Sequence, residues 1–270
     1  RFREHIDWQI KQGVSGLVPC GTTGESATLS HQEHKDVIRI CIDEAKGRVP
    51  VLAGAGSNNT REAVELTAYA KEAGADAALL ITPYYNKPTQ AGLYAHYKTI
   101  ADEVSLPQVV YNVPGRTGIN LLPETLGRMQ KEIPEVIGVK EGGGSINQVS
   151  QVIEECGRDF NVLAGEDFIT LPLLGLGGKG VISVVSNVAP ALMSELCEAS
   201  PARQVDRAID VHYQLTPLYQ ALFLETNPIP VKTALAHMGR MELELRLPLV
   251  PMHQDNDSKL RRVLGECGLT

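Results

Sequence analysis

The sequence predicts an α/β protein built as a (β/α)8 TIM barrel, and three observations carry that reading. Short apolar runs alternate with amphipathic segments of helical spacing along most of the chain. Strict β-then-α alternation calls for parallel strands with right-handed crossovers, which leaves either an open doubly wound sheet or a closed barrel. The unusual residues fall at the ends of several different strands, whereas an open sheet concentrates them at one switch point.

The chain opens on Arg1-Phe2-Arg3-Glu4-His5, and Ile6 to Ile10 already has helical spacing, so no leader peptide is expected in these residues. Strands are expected over Val14 to Pro19, Val49 to Ala53, Ala77 to Ile81, Gln108 to Val113, Val136 to Lys140, Asn161 to Ala164 and Val181 to Val185. Between them, helices are expected over His31 to Ala45, Arg61 to Ala73, Ala91 to Val104, Pro123 to Met129 and Ile146 to Glu155, with Ser30, Thr60 and Ser145 as caps. A closed barrel has about eight strands and this reading finds one fewer, so an upstream first strand is expected to be missing from the numbering. After Pro190 the alternation stops, and the segments around Pro201 to Glu225, Ile229 to His237 and Lys259 to Cys267 read as helices. The expected organisation is a barrel over 1–189 and, over 190–270, the end of the barrel with a C-terminal helical annex. Gly142-Gly143-Gly144 is too short for a linker and is expected to let backbone pass close to the site.

Composition narrows the function. A length of 270 residues allows a large core, and 25 basic against 32 acidic residues give a net charge of −7, which argues against nonspecific binding to nucleic acid or anionic membrane. No apolar run approaches the roughly 20 residues of a membrane span. Five scattered cysteines without a C-x-x-C pair suggest reduced thiols in a cytoplasmic protein, not a disulfide frame or zinc site. His31 and His34 stand three apart on a helix without H-E-x-x-H, so no metal is expected, and neither a nucleotide loop nor a G-x-S-x-G elbow occurs.

Lys140 ends an apolar strand run, with Glu141 and three glycines behind it. Partial burial there lowers an amine pKa and frees a nucleophile for a carbonyl; the plainer reading is a lysine that snorkels out or meets a carboxylate. Gly21-Thr22-Thr23-Gly24-Glu25 follows a strand and reads equally as an ordinary βα turn or as a cradle for an anion such as a carboxylate. Tyr111 and the pair Tyr84-Tyr85 also close strands, as packed aromatics or as proton carriers. Arg116, just past Tyr111, offers a bidentate grip on a carboxylate, or else is a solvated or intersubunit arginine.

Taken in order, Gly21 to Leu29, Thr82 to Pro88, Tyr111 to Gly118, Gly138 to Glu141, Gly180 to Ser183 and Asn227 to Lys232 closely resemble the dihydrodipicolinate synthase family of pyruvate-dependent class I aldolases and lyases. The resemblance runs from about Val14 to Leu247. It implies that Lys140 forms an imine with pyruvate, and that Tyr111, Thr23 and Tyr85 make a proton relay in which Tyr85 reaches in from a neighbouring subunit. Thr22 and Thr23 would hold the pyruvate carboxylate, Arg116 would bind that of L-aspartate 4-semialdehyde, and backbone at Gly165 and Ile182 would line the pocket. The implied product lies on the diaminopimelate route to lysine, without a cofactor, in a homodimer or homotetramer. Ser26, Ala27, His31, His34, Asn58, Glu62 and Tyr84 stand where lysine-sensitive members bind L-lysine. Within the superfamily, an N-acetylneuraminate lyase or a 2-keto-3-deoxy sugar-acid aldolase is the alternative, and outside catalysis an amino-acid-binding regulatory relative. The three glycines after Lys140 exceed what the family leads one to expect.

Overall fold

The alternating pattern folds as read, and a computed structural model describes residues 1–199 and 204–270. Helix α1 (Phe2–Lys11) leads to α2 (His31–Ala45), whose buried His34, Ile38, Cys41 and Ala45 recur at the spacing of one helical face. Ser30 caps α2 with a full capping box, its hydroxyl accepting from Glu33 N while the Glu33 carboxylate accepts from Ser30 N. Strand β1 (Leu52–Gly54) then alternates with α3 (Thr60–Ala73), β2 (Ala77–Ile81), α4 (Gln90–Glu103) and β3 (Gln108–Asn112). The short α5 (Pro114–Thr117) and α6 (Pro123–Glu132) precede β4 (Val136–Glu141), and α7 (Ile146–Cys156) precedes β5 (Asn161–Ala164). Helix α8 (Thr170–Gly175) leads to β6 (Gly180–Val181).

The six strands pair in sequential order and all are parallel, curling into a half-barrel. β3 is buried along its whole length, as a strand covered on both faces must be. Helices α9 (Pro190–Ala199), α10 (Val205–Ala221), α11 (Ile229–His237) and α12 (Gln254–Glu266) follow. Among the described residues the apolar core falls into four clusters, the two largest running from Cys20 to Leu173 and from Val184 to Leu264, with smaller ones around Ile6 to Val51 and around Leu79 to Val113.

Several boundaries differ from the sequence reading. The strand expected over Val14 to Pro19 reduces to a parallel bridge, Leu17 to Val51, because Pro19 and Pro50 have no N–H to extend the ladder. Leu17 N still donates to Pro50 O, and Gly54 N to Pro19 O, so the segment runs beside β1. The strand expected over Val181 to Val185 ends at Val181, since Val184 N and Val185 N turn to the Asp167 carboxylate. β1 begins at Leu52 rather than Val49. Thr60 is not the cap of α3: Asn59 accepts from Arg61 N, and the Thr60 hydroxyl bonds His96 Nδ1 at 2.9 Å. The expected helix start at Pro201 lies outside the described residues; α10 runs from Val205 and ends at Ala221, short of Glu225. The last helix begins at Gln254, five residues before Lys259, where His253 Nδ1 accepts from Asp255 N.

Candidate active site

Lys140 lies at the C-terminal end of β4, the edge where parallel strands deliver side chains to the following loops. Its register partner on β3 is Tyr111, and the lysine nitrogen sits 4.1 Å from the Tyr111 ring centroid. Lys140 is only 8% exposed, and burial brings its pKa down to about 8; Asp167 opposes the shift and Arg116 adds to it. The Tyr111 phenol is buried too. Burial raises its pKa, the Thr22 hydroxyl and Arg116 pull it back, and the Glu166 and Glu141 carboxylates push it up. Thr22, Arg116, Tyr111 and Lys140 therefore form one electrostatic group.

Thr23 is held elsewhere within this chain. Its hydroxyl accepts from Asn227 Nδ2 at 3.1 Å and faces Asn227 Oδ1 at 3.4 Å, while Arg116 Nη2 donates to the Asn227 carbonyl at 3.2 Å. Asn227 thus ties the threonine loop to the guanidinium. The loop itself turns through Gly24 N to Gly21 O and Glu25 N to Thr22 O. Glu25 takes φ of 53°, a left-handed conformation unfavourable for a residue with a Cβ. What holds it is its buried carboxylate, which pairs with Lys232 of α11 and accepts from Arg246 N at 2.9 Å. Lys232 and Arg246, more than 200 residues further along the chain, therefore fix the shape of the threonine loop. Neither Asn227 nor Glu25 was singled out from the sequence as a site residue, because an amide or a carboxylate whose partners lie 204 to 221 residues away gives no local signal.

Behind Lys140, the buried Glu141 accepts from Asn112 Nδ2 at 3.1 and 3.3 Å, Gly143 N at 2.8 Å and Gln148 Nε2 at 2.9 Å. Burial raises its pKa and these donors oppose the rise. Glu141 is thereby committed to holding the strand end. The following glycines are required by the same crowding. A Cβ on Gly142 would stand 3.1 Å from Tyr111 Cε2, and Gly144 takes φ of 70°. Gly165 N donates to Glu141 O at 2.6 Å, and Ile182 N to Ala164 O at 3.0 Å, so Gly165 continues β5 beside the lysine strand and Ile182 continues β6 one strand further on. Two residues beyond Gly165 lies Asp167, a buried carboxylate that sequence reading missed.

Tyr85 is 89% exposed, at φ of 68°, and projects from the loop after β2. The remaining residues gather at the N-terminal ends of α2 and α3. His31 Nε2 meets Glu62 at 2.8 Å, Ser57 donates to Glu62, and Asn58 Nδ2 donates to Tyr84 O at 3.2 Å. Burial and the Glu62 carboxylate raise the Tyr84 pKa. His34 points inward instead, its Nε2 donating to Gly54 O at 2.6 Å, and burial lowers its pKa. Ser26 and Ala27 begin the single 3-10 turn after the threonine loop. Among the described residues no three His, Cys, Asp or Glu side chains gather to hold a metal ion, and no helix is long and apolar enough to cross a membrane.

An amine kept partly unprotonated at the end of a parallel strand, against a phenol, is the equipment of a carbonyl-condensing α/β protein. The chain belongs to the Dihydrodipicolinate synthetase family, whose model matches residues 1–267. The 4-hydroxy-tetrahydrodipicolinate synthase of Nitratidesulfovibrio vulgaris (strain DSM 19637 / Miyazaki F) is 68% identical over 269 residues, covering 100% of this chain and 92% of the relative. Among solved structures, the chloride-inhibited dihydrodipicolinate synthase of Acinetobacter baumannii complexed with pyruvate has a TM-score of 0.97 at 45% identity, covering 100% of this chain and 92% of that one. The enzyme of Cyanidioschyzon merolae with lysine bound has a TM-score of 0.97 at 36% identity, over 100% and 91% of the two chains.

Proposed function

We propose that this chain is a 4-hydroxy-tetrahydrodipicolinate synthase, condensing pyruvate with L-aspartate 4-semialdehyde through a Schiff base on Lys140. The observation that carries the reading is the buried Lys140 amine, its pKa near 8, packed on Tyr111. The free amine adds to the pyruvate ketone carbon and water leaves, giving the imine. That imine withdraws electrons from the methyl group, which loses a proton and becomes a nucleophilic enamine. The enamine carbon joins the aldehyde carbon, the new alkoxide takes a proton, and the amino group of the semialdehyde displaces Lys140 as the ring closes.

Tyr111 is the proton carrier beside the amine, with Thr23 and Tyr85 completing the relay. Thr23 must exchange its Asn227 contact to join it. Thr22 and Thr23 hold the pyruvate carboxylate, Gly165 and Ile182 line the pocket, and Arg116 grips the semialdehyde carboxylate. The imine is its own electron sink, so the proposed chemistry requires no cofactor. A coupled assay with pyruvate and aspartate semialdehyde should show condensation. Cleavage of sialic acid or a 2-keto-3-deoxy sugar acid in its place would move the chain to the alternative lyases, and ligand binding without turnover would make it a regulatory relative.

The wider reading follows from the same features. The half-barrel, with Leu17 running beside β1, supports a closed (β/α)8 barrel over 1–189, and the succession of α9, α10, α11 and α12 from Pro190 onward supports a C-terminal helical annex. Exposure of Tyr85 supports a homodimer or homotetramer in which this phenol serves the neighbouring site. The cluster of His31, Asn58, Glu62 and Tyr84 supports an L-lysine effector site, and the scattered cysteines support a cytoplasmic setting.

A further inference from the structure

Arg116 is exposed, and among the described residues its guanidinium donates only to the Asn227 carbonyl, at 3.2 Å. Its place is therefore set by the backbone that carries it. That backbone leaves β3 at Asn112 and returns to the same residue: Leu121 N donates to Asn112 Oδ1 at 3.0 Å, and Asn112 Nδ2 donates to Asn120 Oδ1 at 2.8 Å. Between these ends the turn of α5 holds itself, with Arg116 N donating to Val113 O and Gly118 N to Pro114 O, both at 2.9 Å. One side-chain amide thus closes a loop that has Arg116 inside it.

The other hydrogen of Asn112 Nδ2 goes to Glu141, its register partner on β4, at 3.1 and 3.3 Å to the two oxygens. Tyr111 and Lys140 are the pair one residue earlier on the same two strands. Asn112 is 1% exposed, so its amide meets no solvent and its acceptor and both its donors are engaged within the protein. Glu141 Oε1 also accepts from Gly143 N and Oε2 from Gln148 Nε2, so among the described residues every hydrogen-bonding neighbour of this carboxylate is a donor, the arrangement that an ionised carboxylate requires. Asn120 and Gln148 complete the circuit as a reciprocal amide pair, Asn120 Nδ2 to Gln148 Oε1 at 2.8 Å and Gln148 Nε2 to Asn120 Oδ1 at 3.1 Å. A buried network with every member satisfied fixes one arrangement, and removing one member leaves the others unpaired. The circuit therefore couples the Arg116 loop to the two strands that carry the amine and the phenol.

We infer that Asn112 is a positioning residue for the second substrate: its amide closes the Arg116 loop onto Glu141 and so fixes the guanidinium relative to Lys140 and Tyr111. This rests on the proposal that Arg116 grips the semialdehyde carboxylate. The test compares Asn112→Asp, Glu141→Gln and the two combined, by KM for the semialdehyde and by borohydride trapping of pyruvate. Each single exchange sets like groups against each other, carboxylate on carboxylate or amide donor on amide donor. It should raise the semialdehyde KM about tenfold, the order expected when a buried polar group loses its partner, while trapping needs no more pyruvate than in wild type. In the double variant the same bond runs the other way, with the Asn120 and Gln148 amides rotated to match, and the KM should return toward wild type. In an Arg116→Ala background Asn112→Asp should add almost nothing, because it acts through that guanidinium. Single variants that melt like wild type and keep its semialdehyde KM overturn the inference. So do singles that weaken trapping as much as they raise that KM, a double variant no better than either single, or a full added effect without Arg116. Should the singles fail to fold, Asn120→Ala, at the half-buried end of the circuit, decides: it should raise the semialdehyde KM and spare trapping, and an unchanged KM overturns the inference. Arg116→Ala with a wild-type semialdehyde KM overturns the underlying reading of Arg116 instead.

Discussion

Lys140 and Tyr111 are register partners on adjacent parallel strands, with the amine 4.1 Å from the centre of the phenol ring. Parallel pairing brings both side chains out at the same end of the sheet, where the threonine loop and Arg116 meet them. The geometry thus follows from two strand endings 29 residues apart, as far as Asn112 is from Glu141 one step further on.

The Glu25 carboxylate holds a left-handed residue and pairs with Lys232 out of solvent. Glu25→Ala should destabilise the fold by about 3 kcal/mol, because it leaves a partly buried ammonium without its partner. Urea unfolding measures this, and Glu25→Ala combined with Lys232→Met should recover part of the loss. A single variant as stable as wild type would count against the clamp.

Arg116→Ala should impair condensation more than imine formation, since the guanidinium serves the second substrate. Loss of a charge-assisted bidentate contact is worth about 1.5–3 kcal/mol, or roughly ten- to a hundredfold in kcat/KM for the semialdehyde. Equal losses in pyruvate trapping and in turnover would contradict this division of labour.

Tyr85, nearly fully exposed in one chain, is expected to act in a neighbour. Mixed Tyr85→Phe and Lys140→Ala proteins should regain activity, because a hybrid dimer can hold one site with both residues intact. No recovery after proven subunit exchange would place the relay within a single chain.

L-Lysine at millimolar concentration should slow the enzyme, and Glu62→Ala should relieve the inhibition. Glu62 lies against His31 and Ser57 and beside Tyr84, the chain neighbour of Tyr85, so an effector amine pairing with Glu62 can bias the relay. Initial rates against added lysine test this; a wild type indifferent to lysine removes the regulatory proposal and leaves the catalytic one.

Strand and helix order was legible because β2, β3 and β4 are continuous apolar runs and α2 carries its own capping box. Lys140 and Tyr111 were legible because they sit at those strand endings, and Arg116 because it follows Tyr111 by five residues. Asp167, Asn227 and Glu25 were not, since each gains its meaning from contacts across distant loops: Asp167 with Ser183, Asn227 with Thr23, Glu25 with Lys232. The early ends of β6 and of the Leu17 segment were hidden for a related reason. Apolar runs predict strands, but a carboxylate that captures two N–H groups, or two prolines that lack them, ends the ladder.

Borohydride trapping of pyruvate on the native protein tests the central claim most directly. The free amine is the nucleophile, and a Lys140 pKa lowered to about 8 leaves about one amine in ten free at pH 7, against fewer than about one in a thousand for an ordinary lysine. Trapping should therefore rise with pH to a midpoint near 8 and place a pyruvyl-derived mass on the peptide containing Lys140. Trapping that persists undiminished in Lys140→Ala, or a mass found on another lysine, would contradict the account.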